Sequence, residues 1–174
     1  MPRLHTVHSS YAPVRGLCGS ARRNWLLAVG ASALGLLAGC AKPEKPVTTS
    51  VTLTLVAAPD ANPDAQGRAS PLVTRYYVLK GPGGFDAADF FSLQDKDSAT
   101  LGADLVQREE IIMRPGEQRR VQLTLAADVK ALGFTGAYRD LTHARWRQSL
   151  ALQPGQPVVL TVTFGARGIG VTPR

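Results

Sequence analysis

The sequence predicts a mainly β protein, a two-sheet antiparallel β-sandwich with one or two short helices. Three observations carry this. Apolar residues alternate with polar ones along short runs, most clearly Val51, Leu53, Leu55 and then Val158, Leu160, Val162, Phe164, the period of two that puts one face of a strand on a core. Proline and glycine steps separate the runs at spacings near those of sandwiches. Helical patterning is confined to one or two short stretches. A closed barrel is the alternative architecture.

Ahead of the strands stand Arg22-Arg23-Asn24, an apolar run from Trp25 to Leu37, and Leu37-Ala38-Gly39-Cys40. A basic flank, an apolar segment and small residues before a cleavage point make a secretory signal. The apolar run spans only about 20 Å at a helical rise of ~1.5 Å per residue, short of the ~30 Å of a bilayer core. Gly30, Gly35 and Gly39 each cost a helix interior up to ~1 kcal/mol, which argues against a buried core helix. Leu37 to Cys40 resembles the bacterial lipobox, in which the cysteine is acylated and becomes the first residue of the mature protein. Ala21 to Leu27 faintly resembles a twin-arginine export signal. The chain divides into a lipoprotein signal peptide (1–39), a lipidated tether (40–49), a β-sandwich (50–165) and a loose C-terminal tail (166–174).

The 174 residues carry a formal charge of +7, yet four of the twenty basic residues lie in the signal, whereas all thirteen acids lie beyond it. The mature part holds sixteen bases against thirteen acids, or +3, too evenly mixed for a nucleic-acid surface. Cys18 falls in the discarded segment and Cys40 carries the lipid, so no thiol remains for a disulfide. One histidine, His143, remains in the mature part, so no metal or cofactor is expected.

The elements follow in order. Ser50 to Ala57 is the first strand, and Ala58 to Ser70 is a long exposed loop of turn-forming residues with no large apolar side chain. Leu72 to Leu79, rich in Val, Thr and Tyr, is the second strand. Lys80 to Gly84 is a turn, Phe85 to Leu93 a short helix, and Ala99 to Gln107 a second helical turn. Glu109 to Met113 and Arg120 to Leu125 flank a Pro115-Gly116 turn as consecutive antiparallel strands. Gly133 to Arg139, Trp146 to Leu152 and Val158 to Phe164 are three more, making about seven. Tyr138 and Trp146 read as core or interface aromatics.

Several separated segments together resemble one family. They are the lipobox at Cys40; Asn62-Pro63-Asp64 with Gly67-Arg68 and Ser70-Pro71; Arg75 to Lys80; Phe85 with Ala88 to Phe91; Leu101 to Leu105; Glu110 with Arg114 to Glu117; and Arg139-Asp140-Leu141 with Ala144 to Arg147. On this ordered set the chain is similar to the outer-membrane lipoprotein of the type VI secretion system, the TssJ family. Val78 and Gln94 depart from the family pattern. The resemblance implies a transthyretin-like sandwich with a small helical addition, anchored in the outer membrane and facing the periplasm. Ala41 fits that address, because an aspartate after the acylated cysteine commonly retains lipoproteins at the inner membrane. The implied role is a scaffold without catalysis that binds the periplasmic C-terminal domain of the inner-membrane protein TssM. The implied contact is the loop between the first two strands, with Pro59, Asp60, Asn62, Pro63, Asp64, Gly67 and Arg68 as partner-binding residues.

Two other classes compete. A cell-wall hydrolase needs paired carboxylates, but the neighbours Glu109 and Glu110 point to opposite faces of a strand. Asp95 and Asp97 sit in a polar stretch that reads as a solvated loop, and a serine hydrolase would rest on His143 alone. The alternative to the scaffold is a periplasmic binding module for a small ligand or cell-wall component, which needs a concave pocket.

A single acyl chain binds membranes marginally and a second is needed for stable anchoring. Cys40→Ser should therefore abolish labelling by radioactive fatty acid and move the protein to the soluble periplasmic fraction, still folded. Retained label, or flotation with membranes, would contradict acylation at that thiol.

Overall fold

A computed structural model describes residues 46–174. Cys40, the signal and most of the tether lie outside the described residues. Among the described residues eight strands form two four-stranded sheets. They are β1 (Thr48–Ala57), β2 (Leu72–Leu79), β3 (Leu105–Met113), β4 (Gln118–Ala126), β5 (Ala131–Gly136), β6 (Arg147–Ala151), β7 (Val158–Phe164) and β8 (Ile169–Pro173). One sheet has the order β4-β1-β7-β8 and the other β3-β2-β5-β6.

β1 buries Val51, Leu53, Leu55 and Ala57 and leaves the residues between them partly exposed, as its period of two requires. Those side chains meet Tyr76, Val78, Leu132 and Phe134 of the facing sheet and Leu160, Val162 and Phe164 of β7 in one core. Burying each such large apolar side chain contributes about 1.5–3 kcal/mol before the entropy cost of ordering the chain.

β2 and β5 bury nearly every residue, because their sheet is covered on both faces. The outer cover is the insertion between β2 and β3, made of α1 (Gly83–Ala87), α2 (Phe90–Asp95) and α3 (Asp97–Leu101) with a short 3-10 turn. Tyr77, Leu79, Phe85, Leu93, Leu101 and Ala131 form this second core. Two arginines hold the insertion by its backbone. Arg75 of β2 donates to the carbonyls of Leu93 (3.0 Å) and Gln94 (2.8 Å), and Arg147 of β6 donates to those of Phe85 (2.9 Å) and Ala88. Asp89 starts α2 by accepting from the Ser92 amide at 3.0 Å.

The mainly β sandwich with a few short helices is as expected, and β2 and β7 begin and end where the sequence pattern places them. Other expectations are corrected. Gly165 to Arg174 is not loose: β8 pairs antiparallel with β7 from Ile169 to Pro173, giving Val171 and Ile169 a place beside the core. β3 and β4 are not hairpin partners, since β3 pairs with β2 and β4 with β1, so Arg114 to Glu117 crosses from one sheet to the other. The sandwich is not wholly antiparallel, for β1 and β7 run parallel. The helix at Phe85 to Leu93 is two helices parted at Ala88, whose backbone is extended, and Gly83 and Gly84 belong to the first. Helix ends at Leu101 and β3 already begins at Leu105, because the segment to Gln107 pairs with β2. Asp97 is not solvated but buried, with Arg108 Nε 2.8 Å from its carboxylate.

Phe85 stacks against β5 so closely that a Cβ at Gly133 would lie 2.7 Å from its ring. Gly133→Ala should therefore destabilise the domain by about 1–3 kcal/mol, the usual cost of overpacking. Phe85→Leu in the same chain should recover part of the loss in urea unfolding. Equal stability of Gly133→Ala and the parent would contradict this packing.

Candidate functional site: the loop end of the sandwich

β1 ends at Ala57, β5 at Gly136 and β7 at Phe164, while β2, β6 and β8 begin at Leu72, Arg147 and Ile169. Pairing registers bring these termini to one end of the sandwich, so the β1–β2, β5–β6 and β7–β8 connections converge there. The described chain enters β1 at the opposite end.

The β1–β2 loop is long but internally bonded. Ala58 N–H donates to the Phe164 carbonyl (2.9 Å), Ser70 N–H to Ala61 (3.0 Å) and Asp64 N–H to Arg68 (2.9 Å). Asp64 Oδ1 accepts from the amides of Gln66 and Arg68, and its Oδ2 from Arg68 Nε at 2.7 Å. Gly67 sits at φ +77°, the left-handed conformation that closes this turn without a Cβ penalty. Asn62 is buried at φ +50°, where asparagine is tolerated better than most residues. Its Nδ2 donates to Pro71 (2.9 Å) and its Oδ1 accepts from Arg139 N–H (2.8 Å), which pins the loop to the β5–β6 connection. That connection is in turn pinned to the β7–β8 turn, Arg145 N–H donating to Arg167 (3.0 Å) and Ile169 N–H to Arg145 (3.1 Å).

Of the residues expected to bind a partner, Pro59, Asp60, Gly67 and Arg68 are exposed, Pro63 and Asp64 are half-buried, and Asn62 is buried. Asn62 therefore positions the loop rather than offering a surface. Asp64 and Arg68 are paired with each other, which leaves Asp60 as the loop's unengaged charge among the described residues. Pattern reading missed the other side of the site. A cavity of about 300 Å³ opens between the three connections, walled by Pro63, Asp64, Tyr138, Asp140, Ala144 and Arg167. Four of these come from distant segments, and nothing local in the sequence marks them as neighbours.

The carboxylates that compete for a catalytic role do not converge. Glu110 pairs with Arg75 at 2.6 Å on one face of β3, and Glu109 accepts from the Tyr76 hydroxyl on the other. His143 is exposed, with Nδ1 2.9 Å from Asp140.

The Arg68 amide, with help from its guanidinium and the Gln66 amide, holds the Asp64 carboxyl below its ordinary value of 3.8. A lowered folded value means that the ordering is complete above the unfolded value and is lost as pH falls through the folded one. Amide resonances of Gln66 and Arg68 should thus titrate with a midpoint below 3.8, and Asp64→Asn should speed their exchange with solvent at neutral pH. A midpoint at or above 3.8 would contradict the capped turn.

A family model described as type VI secretion lipoprotein (VasD, EvfM, TssJ) matches residues 49–167. The chain is 46% identical to the type VI secretion lipoprotein TssJ1 of Pseudomonas aeruginosa, with TM-score 0.71, covering 74% of this chain and 97% of that one. It is 25% identical to a chain of a type VI membrane complex (TM-score 0.61; 71% and 98% covered). It is also 25% identical to a chain in a structure described as the TssM C-terminal domain from EAEC (TM-score 0.54; 72% and 97% covered). A comparison with curated proteins gives no match. With most of the described domain matched by the family model and nearly all of one member aligned at 46% identity, the chain belongs to the type VI secretion lipoprotein family, TssJ, a structural component and not an enzyme.

Proposed function

We propose that the chain is an outer-membrane lipoprotein, acylated at Cys40, that holds the periplasmic C-terminal domain of the inner-membrane protein TssM through its β1–β2 loop. The observation that carries this reading is the position of the loop at the end of β1 opposite to where the chain enters. Ten residues of strand at ~3.3 Å each set the two about 30 Å apart. The lipidated tether precedes β1 in the chain, and the loop follows the other end of that strand. Ala41, in place of the aspartate that retains lipoproteins at the inner membrane, supports the outer membrane as the address.

The loop is suited to holding rather than to chemistry. Connections of 2–5 residues suffice for hairpins, and loops kept longer on rigid scaffolds are where binding residues concentrate. The bonds made by Asn62 and Asp64 order this loop before any partner arrives, which lowers the entropy lost on docking. The chain's similarity to a chain in a structure described by the TssM C-terminal domain supports that domain as the partner.

Replacing Asp60 to Arg68 with a glycine-serine segment of equal length should leave lipidation and the β dichroism spectrum intact. Affinity for the TssM C-terminal domain should fall at least about tenfold, or ~1.4 kcal/mol. Unchanged affinity would move the interface to another face of the sandwich.

A further inference from the structure

Each of the three connections at the loop end contributes one short side chain to the cavity wall: Ala65 from β1–β2, Ala144 from β5–β6 and Ala166 from β7–β8, with Pro63 beside them. Ala144 also packs against the main core. The bonds that join Asn62 to Arg139 and Arg145 to Arg167 fix the three backbones, so the space left by the short side chains is not closed by one connection settling onto another. At about 300 Å³ it lies at the small end of ligand sites and has room for one large side chain.

The polar groups of the wall are already engaged. Asn62 uses both ends of its amide, toward Pro71 and Arg139, and Asp64 accepts from Gln66 and Arg68. The Tyr138 hydroxyl is sealed from solvent. Asp140 is bonded to His143 at 2.9 Å, and Arg167 adds to His143 in lowering its carboxyl below the ordinary 3.8. Arg167 thus balances Asp140 in charge, as Arg68 balances Asp64, and the wall offers a ligand no net charge. What it leaves unengaged is the apolar surface of the alanines and Pro63.

Resting on the reading of this end as the partner's docking site, we infer that the cavity is a socket for one large apolar side chain of the partner, a leucine, methionine or phenylalanine, seated between Ala65, Ala144 and Ala166. Seating it removes apolar surface on both sides from water, which is the driving force of such a contact. Anchors of this kind dominate an interface when they fill a pocket and polar neighbours around them exclude water. The β1–β2 loop, with the exposed Asp60 and the paired Asp64 and Arg68, is a rim of that character.

The test uses full-length lipoprotein in detergent, titrated with the soluble C-terminal domain of TssM from the same organism. Ala144→Leu and Ala166→Leu fill the cavity from two different connections. Each should leave the melting temperature of the free protein unchanged or raised, as cavity filling commonly does, and weaken binding about tenfold or more. The loss should be the same at low and high salt, because an apolar contact is not screened. If both filled variants bind like the parent while the loop replacement does not, the socket is overturned and the loop stands; if neither the filled variants nor the loop replacement alters affinity, both readings fall. A lowered melting temperature in both filled variants would mean that the space cannot take a side chain and would overturn the socket. A loss confined to low salt would make the contact ionic and overturn the apolar occupant.

Discussion

The sandwich depends on β1 being hydrogen-bonded along both edges while it buries every second side chain. Antiparallel pairing with β4 and parallel pairing with β7 engage its backbone along both edges, so its register is set from two sides at once. A slip of one residue would expose Val51, Leu53 and Leu55 and bury Thr52 and Thr54. The same strand, by its length, separates the entry of the described chain from the loop end.

The second sheet solves a different problem. Its inner face closes the main core, and its outer face, with Tyr77, Leu79 and Ala131, needs a cover of its own. The insertion that supplies the cover has helices of five or six residues, too short to be stable on their own. They are held by tertiary contacts, above all by Arg75 and Arg147, which capture carbonyls that such short helices leave unpaired. Burying Arg75 is costly alone, and Glu110 and the nearby Asp97 offset that cost. Phe90 adds an edge contact to Trp146, which packs against both cores.

The loop end shows how a scaffold makes a surface without a catalytic group. Three connections of irregular backbone are tied in series, Asn62 to Arg139 and Arg145 to Arg167, so that none can move far alone. Their side chains enclose a small cavity lined by both polar and apolar groups. Glu109 and Glu110 illustrate the contrast: each has a bonding partner, on opposite faces of β3, and neither faces an open pocket.

By itself the sequence determined seven of the eight strands, the long loop and the character of the fold. Period-two alternation and the placement of Pro and Gly are local signals that survive in the folded state. β2 and β7 are legible to the residue for that reason. Alternation reports that a strand has a buried face and says nothing about which strand lies beside it. Only the tertiary structure could therefore decide that β3 and β4 belong to different sheets, that β1 and β7 run parallel, and that Ile169 to Pro173 adds an edge strand. The loop itself was visible in composition, as a run of turn residues without core side chains, and the family resemblance is what marked it as a candidate contact. The half of the site contributed by Tyr138, Asp140 and Arg167 was not, because their proximity to Asn62 to Asp64 arises from pairing registers that join residues some seventy to a hundred positions apart. Asp97 shows the same limit in miniature: its polar neighbours in sequence suggest solvent, and only the packing of α3 against β2 and β3 brings Arg75 and Arg108 to it.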